Sequence, residues 1–362
     1  MTELRNLRIS FIAGTLAQGG AERQLYYILG ALVRAGADIR VLCLTSGEFW
    51  EERITALGVP VIHVGQRESR FARLMRIAGE VRRHRPMIVQ SQHFYTNPYA
   101  ALAARLTGGC EIGAIRNDVI SEIAANGRVL GPLCLRLPRR LAANSRAAIE
   151  TALRLGARPR KILLLPNVID TDHFSPSESA ERDRIRIVTA GRLVEQKRID
   201  RFLRIVAAVR ARTARPVEVE IFGRGPLLDD LRSLARDLGL PDDVLRFTDV
   251  VADARKIYRD ADIFMLTSDF EGTPNVVLEA MSSGLPVIAT SVGGTVELIE
   301  DGESGFLSGA DEIEKMISAC IELIESPDLR SKVGARARAR VVSRYSLDAL
   351  PGILSEFYAE LP

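Results

Sequence analysis

Long apolar runs are missing from this 362-residue chain. Although 47% of it is hydrophobic, no window approaches the roughly 18 uninterrupted apolar residues that a membrane span needs, so a soluble protein is expected. Aromatics are scarce at 6%, with one tryptophan. The arginines are therefore not interleaved with aromatics, and with no binding motif beside them nucleic acid is excluded as a partner. The four cysteines, Cys43, Cys110, Cys134 and Cys320, are far apart, lack CxxC spacing and sit in apolar runs. They read as small buried hydrophobes, not as metal ligands or disulfides. The N-terminus lacks the charged, apolar, small-residue order of a secretory leader, which places the protein in the cytoplasm. Neither a Walker Lys-Ser/Thr nor a complete G-x-G-x-x-G occurs; Gly223-Arg224-Gly225 lacks the third glycine, which argues against a dinucleotide cofactor.

The length exceeds what one hydrophobic core usually supports, so two domains are expected. A net charge of +3 hides an imbalance: residues 1–165 carry 24 Lys and Arg against 12 Asp and Glu, and the remainder 25 against 34. The halves are +12 and −9, so the first is expected to face something anionic. Short apolar runs alternate with stretches of helical period, the pattern of parallel sheets covered on both faces. Strands are expected at Arg8–Ala13, Ile39–Thr45, Val61–Val64, Met87–Gln90, Ile112–Arg116 and Leu141–Asn144, with helices at Ala21–Arg34, Arg70–Arg83 and Pro98–Leu106. After a polar linker at Ser175–Ser179, a second set is expected at Ile185–Ala190, Val217–Phe222, Val244–Phe247, Asp262–Leu266, Pro286–Ala289 and Gly305–Leu307. The fold expected is α/β, two Rossmann-like doubly wound domains (1–166 and 167–345) facing a cleft at their strands' carboxyl ends. The tail Ser346–Leu361 reads as one amphipathic helix, crossing back to the first domain.

The strongest motif is Glu271-Gly272-Thr273-Pro274-Asn275-Val276-Val277-Leu278-Glu279, just beyond a strand. Thr273 suits an N-cap and Pro274 the first helical turn. The amides of Asn275 and Val276, with the helix dipole, would then point at an anion. Glu279, within the next turn and a half, can accept from vicinal hydroxyls such as those of a ribose, and Glu271 from another set. A second group, Gly191-Arg192-Leu193-Val194-Glu195-Gln196-Lys197, also follows a strand. A departing diphosphate gains negative charge, and without a metal fixed cations must meet it. Two Asp-x-Asp sequences, Asp170–Asp172 and Asp260–Asp262, read as structural.

This first motif resembles the E-x7-E signature of the GT-4 family of retaining GT-B glycosyltransferases, and the resemblance runs on through Ile299. It implies that Glu271 contacts the transferred sugar, that the amides of Asn275 and Val276 contact the diphosphate, that Glu279 takes the ribose, and that Gly272 and Thr273 are also donor-binding. Arg192 and Lys197 are similar to the family's cation pair, and Gly19-Gly20-Ala21-Glu22-Arg23 to its GGAER turn. Gly19 and Gly20 would border the donor, with Glu22 and Arg23 structural. His93 resembles the family histidine on the donor sugar, while His63, His84 and His173 have no such setting. Phe247, Val250 and Val251 lie where the family's backbone reads the base; Asp253 could contact the ribose or cap a helix. The activity implied is transfer with retention from a nucleotide diphosphate sugar, UDP ahead of GDP, to a hydroxyl of a glycan or lipid-linked acceptor in bacterial surface polysaccharide or glycolipid assembly. The catalytic set is Glu271, His93, Arg192 and Lys197, with no covalent intermediate, no cofactor and no essential metal. A GT-B epimerase or hydrolase and a non-catalytic membrane-associated binder are the rival readings. The basic stretch from Arg70 to Arg85, with Arg136, Arg139 and Arg140, is either a solvated helix face or a peripheral docking surface on the inner face of the cytoplasmic membrane.

Overall fold

The computed structural model describes residues 4–65, 68–158, 162–177, 183–251 and 253–361. It divides into two compact units, Met1–Val168 with Leu347–Pro362, and Ile169–Ser346. The first unit holds strands β1 Arg8–Ala13, β2 Asp38–Cys43, β3 Val61–His63, β4 Ile88–Ser91, β5 Cys110–Ile115, β6 Leu141–Ala143 and β7 Ile162–Leu164. In the second are β8 Ile185–Ala190, β9 Val217–Phe222, β10 Leu245–Thr248, β11 Ile263–Leu266, β12 Val287–Thr290 and β13 Phe306–Ser308. Each set forms one parallel sheet, in the orders β3-β2-β1-β4-β5-β6-β7 and β10-β9-β8-β11-β12-β13.

Both sheets are buried on both faces, which explains why their strands are apolar throughout instead of alternating. In β1, Phe11 joins one cluster with Leu25, Leu29 and Leu32 of the helix Gly20–Arg34, while its neighbour Ile12 joins another with Ile77, Val81 and Ala104. Burying a side chain such as Leu29 stabilises by roughly 1.5–3 kcal/mol, so both helical layers hold the sheet. The second sheet repeats the scheme, with Ile187 on one face and Val188 on the other.

Most expected segments shift by one or two residues, as element ends commonly do. The strand expected at Ile39–Thr45, for example, ends at Cys43. Two differences are larger. The strand β7, three residues within the short apolar run Ile162–Leu165, was not expected. The tail is not one helix from Ser346: that residue is extended and bridges Ile169, and the helix runs Leu350–Ala359. Its Leu350, Leu354, Phe357 and Tyr358 are buried in the first unit's core. Of the linker expected at Ser175–Ser179, Glu178 and Ser179 lie outside the described residues.

In each sheet the strand order reverses once, between β1 and β4 and between β8 and β11. Doubly wound sheets bind ligands at the carboxyl ends of the strands flanking such a reversal. The loops after those four strands are the ones whose residues the sequence singles out.

Candidate functional site

In the second unit, the loop after β8 and the loop after β11 are stitched together. The amide of Asp269 donates to Gln196 O at 2.9 Å, Gln196 Nε2 to Phe270 O at 2.8 Å, and Thr267 Oγ1 to Arg198 O at 2.9 Å. Two glycines let the loops after β9 and β12 approach them closely. Gly223 has φ +154, and a Cβ there would strike Gly191 O; Gly293 has φ +50, and a Cβ there would strike Glu271 O. The incomplete Gly-x-Gly at 223–225 is therefore a scaffold, with Leu193 N bound to Arg224 O at 2.8 Å.

These bonds set the central contact. Lys197 Nζ lies 2.5 Å from Glu271 Oε1, and Ser268 Oγ donates to the same oxygen at 2.7 Å. The two charged side chains are only 14% and 7% exposed. Ser268 is held by Thr290 Oγ1, which donates to its carbonyl at 2.6 Å. Lys197, expected beside Arg192 on a diphosphate, is thus committed to Glu271. Arg192 is exposed, and its side chain has no hydrogen bond or ion pair among the described residues. One cation of the pair is tethered and the other open.

The helix after Glu271 spans Asn275–Ser282. Thr273 is not its N-cap: Pro274 occupies that position, extended and without a side-chain cap. A proline disfavours the helical region for the residue before it, which keeps Thr273 out of the helix. Asn275 and Val276 are consequently the first two helical residues. Glu279, 4% exposed, accepts from the Tyr258 hydroxyl at 2.7 Å. Tyr258 was not singled out from the sequence, since no spacing links it to a carboxylate 21 residues later.

Phe247 packs its ring on the core, Val251 is partly buried against the other cluster, and Val250 is 54% exposed. Asp253 binds its own neighbour Arg255, accepting from its amide at 3.1 Å and its Nη2 at 2.7 Å. Hydrogen bonding from Arg255 holds that carboxyl down at about 2; the N-cap of the helix Arg255–Tyr258 is Ala254, so Asp253 binds the first helical residue without being its cap. Asp170 accepts from the amides of Asp172 and His173, and Asp262 from Arg186 N.

In the first unit the loops after β1 and β4 meet. Gly14 N donates to His93 Nδ1 at 3.0 Å, and His93 Nε2 lies 3.0 Å from Glu22 Oε1. A nitrogen that accepts an amide proton is unprotonated, so Nε2 carries the hydrogen and donates to Glu22. The Tyr95 ring stacks on this imidazole at 5.5 Å, and burial pushes its hydroxyl up to about 12. Gly19 is the extended N-cap and Gly20 the first residue of the helix that carries Glu22. Beneath this loop lies Glu48, also unforeseen. It accepts from Thr15 Oγ1 at 2.8 Å and from Leu16 N and Thr45 Oγ1. Burial by itself would raise the Glu48 carboxyl, yet the bonds from Thr45, Leu16 N and Thr15 outweigh it and hold it below its ordinary value. Elsewhere Ser10, His84 and Asp38 line up like a hydrolase triad, with 2.8 Å and 3.1 Å contacts. Ser10 is buried within β1 and out of reach of any substrate.

Residues 184–326 match the family model described as glycosyl transferases group 1, and residues 18–173 that of glycosyltransferase family 4. The GDP-mannose-dependent alpha-(1-6)-phosphatidylinositol monomannoside mannosyltransferase of Mycobacterium tuberculosis is 31% identical over 210 residues, 53% of this chain and 54% of that one. The match therefore spans about half the length of that relative. The lipopolysaccharide core biosynthesis glycosyltransferase LpsE of Rhizobium meliloti is 25% identical over 95% of this chain and 97% of its own. Among solved structures, Anabaena HepE in complex with UDP and glucose superposes with a TM-score of 0.82 at 20% identity, over 98% of this chain and 100% of that one, a likeness of fold. With residues 18–173 and 184–326 each matching a glycosyltransferase family model, the chain belongs to the family 4, group 1 glycosyltransferases of GT-B fold.

Proposed function

We propose that this glycosyltransferase moves a sugar, with retention, from a nucleoside diphosphate donor held by the second unit to a hydroxyl of a glycan or lipid-linked acceptor. The observation that carries the reading is the Lys197–Glu271 pair set in the loop that leads into the helix starting at Asn275. A diphosphate seated on the amides of Asn275 and Val276, within reach of Arg192, would have its growing charge stabilised as the sugar leaves. Lys197 and Ser268 both occupy the Glu271 carboxylate. A carboxylate so engaged is a poor nucleophile, which favours a role in positioning sugar hydroxyls and attack from the face the diphosphate departs. Glu279, oriented by Tyr258, takes the ribose; the backbone near Val251 reads the base. His93, with Gly19 and Gly20, is the first unit's proposed donor group, its Nε2–H shared with Glu22.

UDP is the nucleotide we favour. The mycobacterial relative's name makes GDP the second reading. A thermal-shift panel separates them, because a ligand at 100 times its Kd stabilises by about 2.7 kcal/mol. UDP or GDP should raise the midpoint, Arg192→Ala should abolish the rise, and EDTA should leave transfer intact. Proton NMR of the product tests retention. No rise with either nucleotide would sink the reading. Among the described residues no helix is long and apolar enough to cross a membrane. We place the enzyme in the cytoplasm, peripheral on the membrane, where Phe71 and Met75 stand 72% and 50% exposed on the basic helix Arg70–His84.

A further inference from the structure

The first unit carries a concavity at the opposite end of its sheet from the His93 loop. It is a cavity of about 940 Å³ lined in part by Arg105, Arg136, Arg139, Arg140 and Arg158. These residues cluster around the amino ends of β5, β6 and β7, whereas Gly14 and His93 follow the carboxyl ends of β1 and β4. Among the described residues these five guanidinium groups meet the carboxylate of Glu111, which is buried and lies 3.2 Å from Arg105 Nη2 and 3.9 Å from Arg139 Nε. Five positive groups against that one carboxylate leave four positive charges in excess.

The arginines are not merely splayed into solvent. Arg136 Nη2 donates to Leu155 O at 3.4 Å, Arg140 Nη1 to Cys110 Sγ at 3.2 Å, and Arg105 Nε to Glu111 at 3.3 Å. Arg105 also donates through Nη2 to Glu111 at 3.2 Å and to Leu137 O at 2.5 Å, but each guanidinium has five N–H donors, so Arg136 and Arg140 are oriented with most of theirs unspent. Oriented forks around a concave site match the geometry of phosphate oxygens, and like charges held together are relieved by an anion.

We propose that this bowl binds a phosphoanion, a phosphate or pyrophosphate group, at a site separate from the donor loops. It is independent of the donor reading. The test is calorimetric titration of inorganic pyrophosphate into the full chain, into Arg136→Ala/Arg139→Ala, and into Arg192→Ala. Loss of a charged hydrogen-bonding partner is expected to weaken binding about tenfold per guanidinium. The arginine-bowl variant should show that loss, with its thermal midpoint unchanged, and Arg192→Ala should retain a bowl-strength site. Arg139→Glu, at a side chain 68% exposed, repeats the test with little risk to folding. Binding that survives the bowl variants but disappears in Arg192→Ala would put pyrophosphate on the donor loop alone and overturn the proposal, as would no binding at all. Co-sedimentation with phosphatidylglycerol–phosphatidylcholine vesicles, against phosphatidylcholine alone, then identifies the source. Pelleting lost in the bowl variants assigns a lipid headgroup. Pyrophosphate binding without pelleting assigns a free phosphoanion.

Discussion

Replacing Lys197 with methionine isolates the ion pair at the centre of the second unit's site. Its partner Glu271 is 7% exposed at the side chain, so the variant strands a carboxylate that water reaches poorly. Breaking a buried pair from one side costs about 3–5 kcal/mol, chiefly the penalty of the charge left behind. Ser268 keeps its 2.7 Å bond to the same oxygen and offsets part of that, which puts the expected loss near 3 kcal/mol. For a unit of this size about 1 kcal/mol moves the midpoint by 2–4 °C, so the Ile169–Ser346 transition should fall by roughly 6–12 °C. Lys197→Met/Glu271→Gln replaces both charges with neutral groups of similar size and should recover to within about 1 kcal/mol of wild type. Differential scanning calorimetry of the wild type, both single variants and the double variant completes the cycle. All three variants should lose transfer by about a hundredfold or more, which separates stability from chemistry. A midpoint within about 2 °C of wild type for Lys197→Met, or a double variant no better than that single one, would refute the coupling.

Other outcomes follow from contacts described above. Tyr258→Phe removes the 2.7 Å bond to Glu279; donor KM should rise about tenfold, the worth of one bond to a charged group, with kcat little changed, and an unaltered KM would dissociate Tyr258 from donor binding. Gly293→Ala forces a Cβ onto Glu271 O at φ +50 and should cost about 2 kcal/mol or more, with activity falling further than stability; wild-type kinetics would mean the Glu271 loop tolerates displacement. Glu48 has a folded-state pKa below its unfolded value, so its stabilisation is full above about pH 4.3 and fades as pH falls through the folded value. Urea midpoints against pH should therefore show a shallower acid limb in Glu48→Gln, and identical limbs would discount the Thr15–Leu16–Thr45 clamp.

Much of the site could be read from residue order because its parts are local. Glu271, Asn275, Val276 and Glu279 share one loop and helix, and strand-then-glycine punctuation marked Gly191 and Gly19 as turns. The N-cap expected at Thr273 falls one residue later, at its neighbour Pro274. What residue order did not show are partners distant in sequence: the fold brings Glu271 to Lys197 across 74 residues. Tyr258 and Glu48 carry no motif, and only their partners reveal them.

Periodicity and punctuation determined by themselves that this protein would be two parallel α/β layers, since strands buried on both faces and helices amphipathic on one leave that signature in the order of residues. What tertiary structure alone decided is which loops share a site. The strand orders put β1 beside β4 and β8 beside β11, so segments remote along the chain meet at each reversal, and hydrogen bonds between them fix whether a charge is tethered, like Lys197, or open, like Arg192. The cause is physical: pairing between strands is a long-range choice, settled by the packing of whole faces, that no local run of residues records.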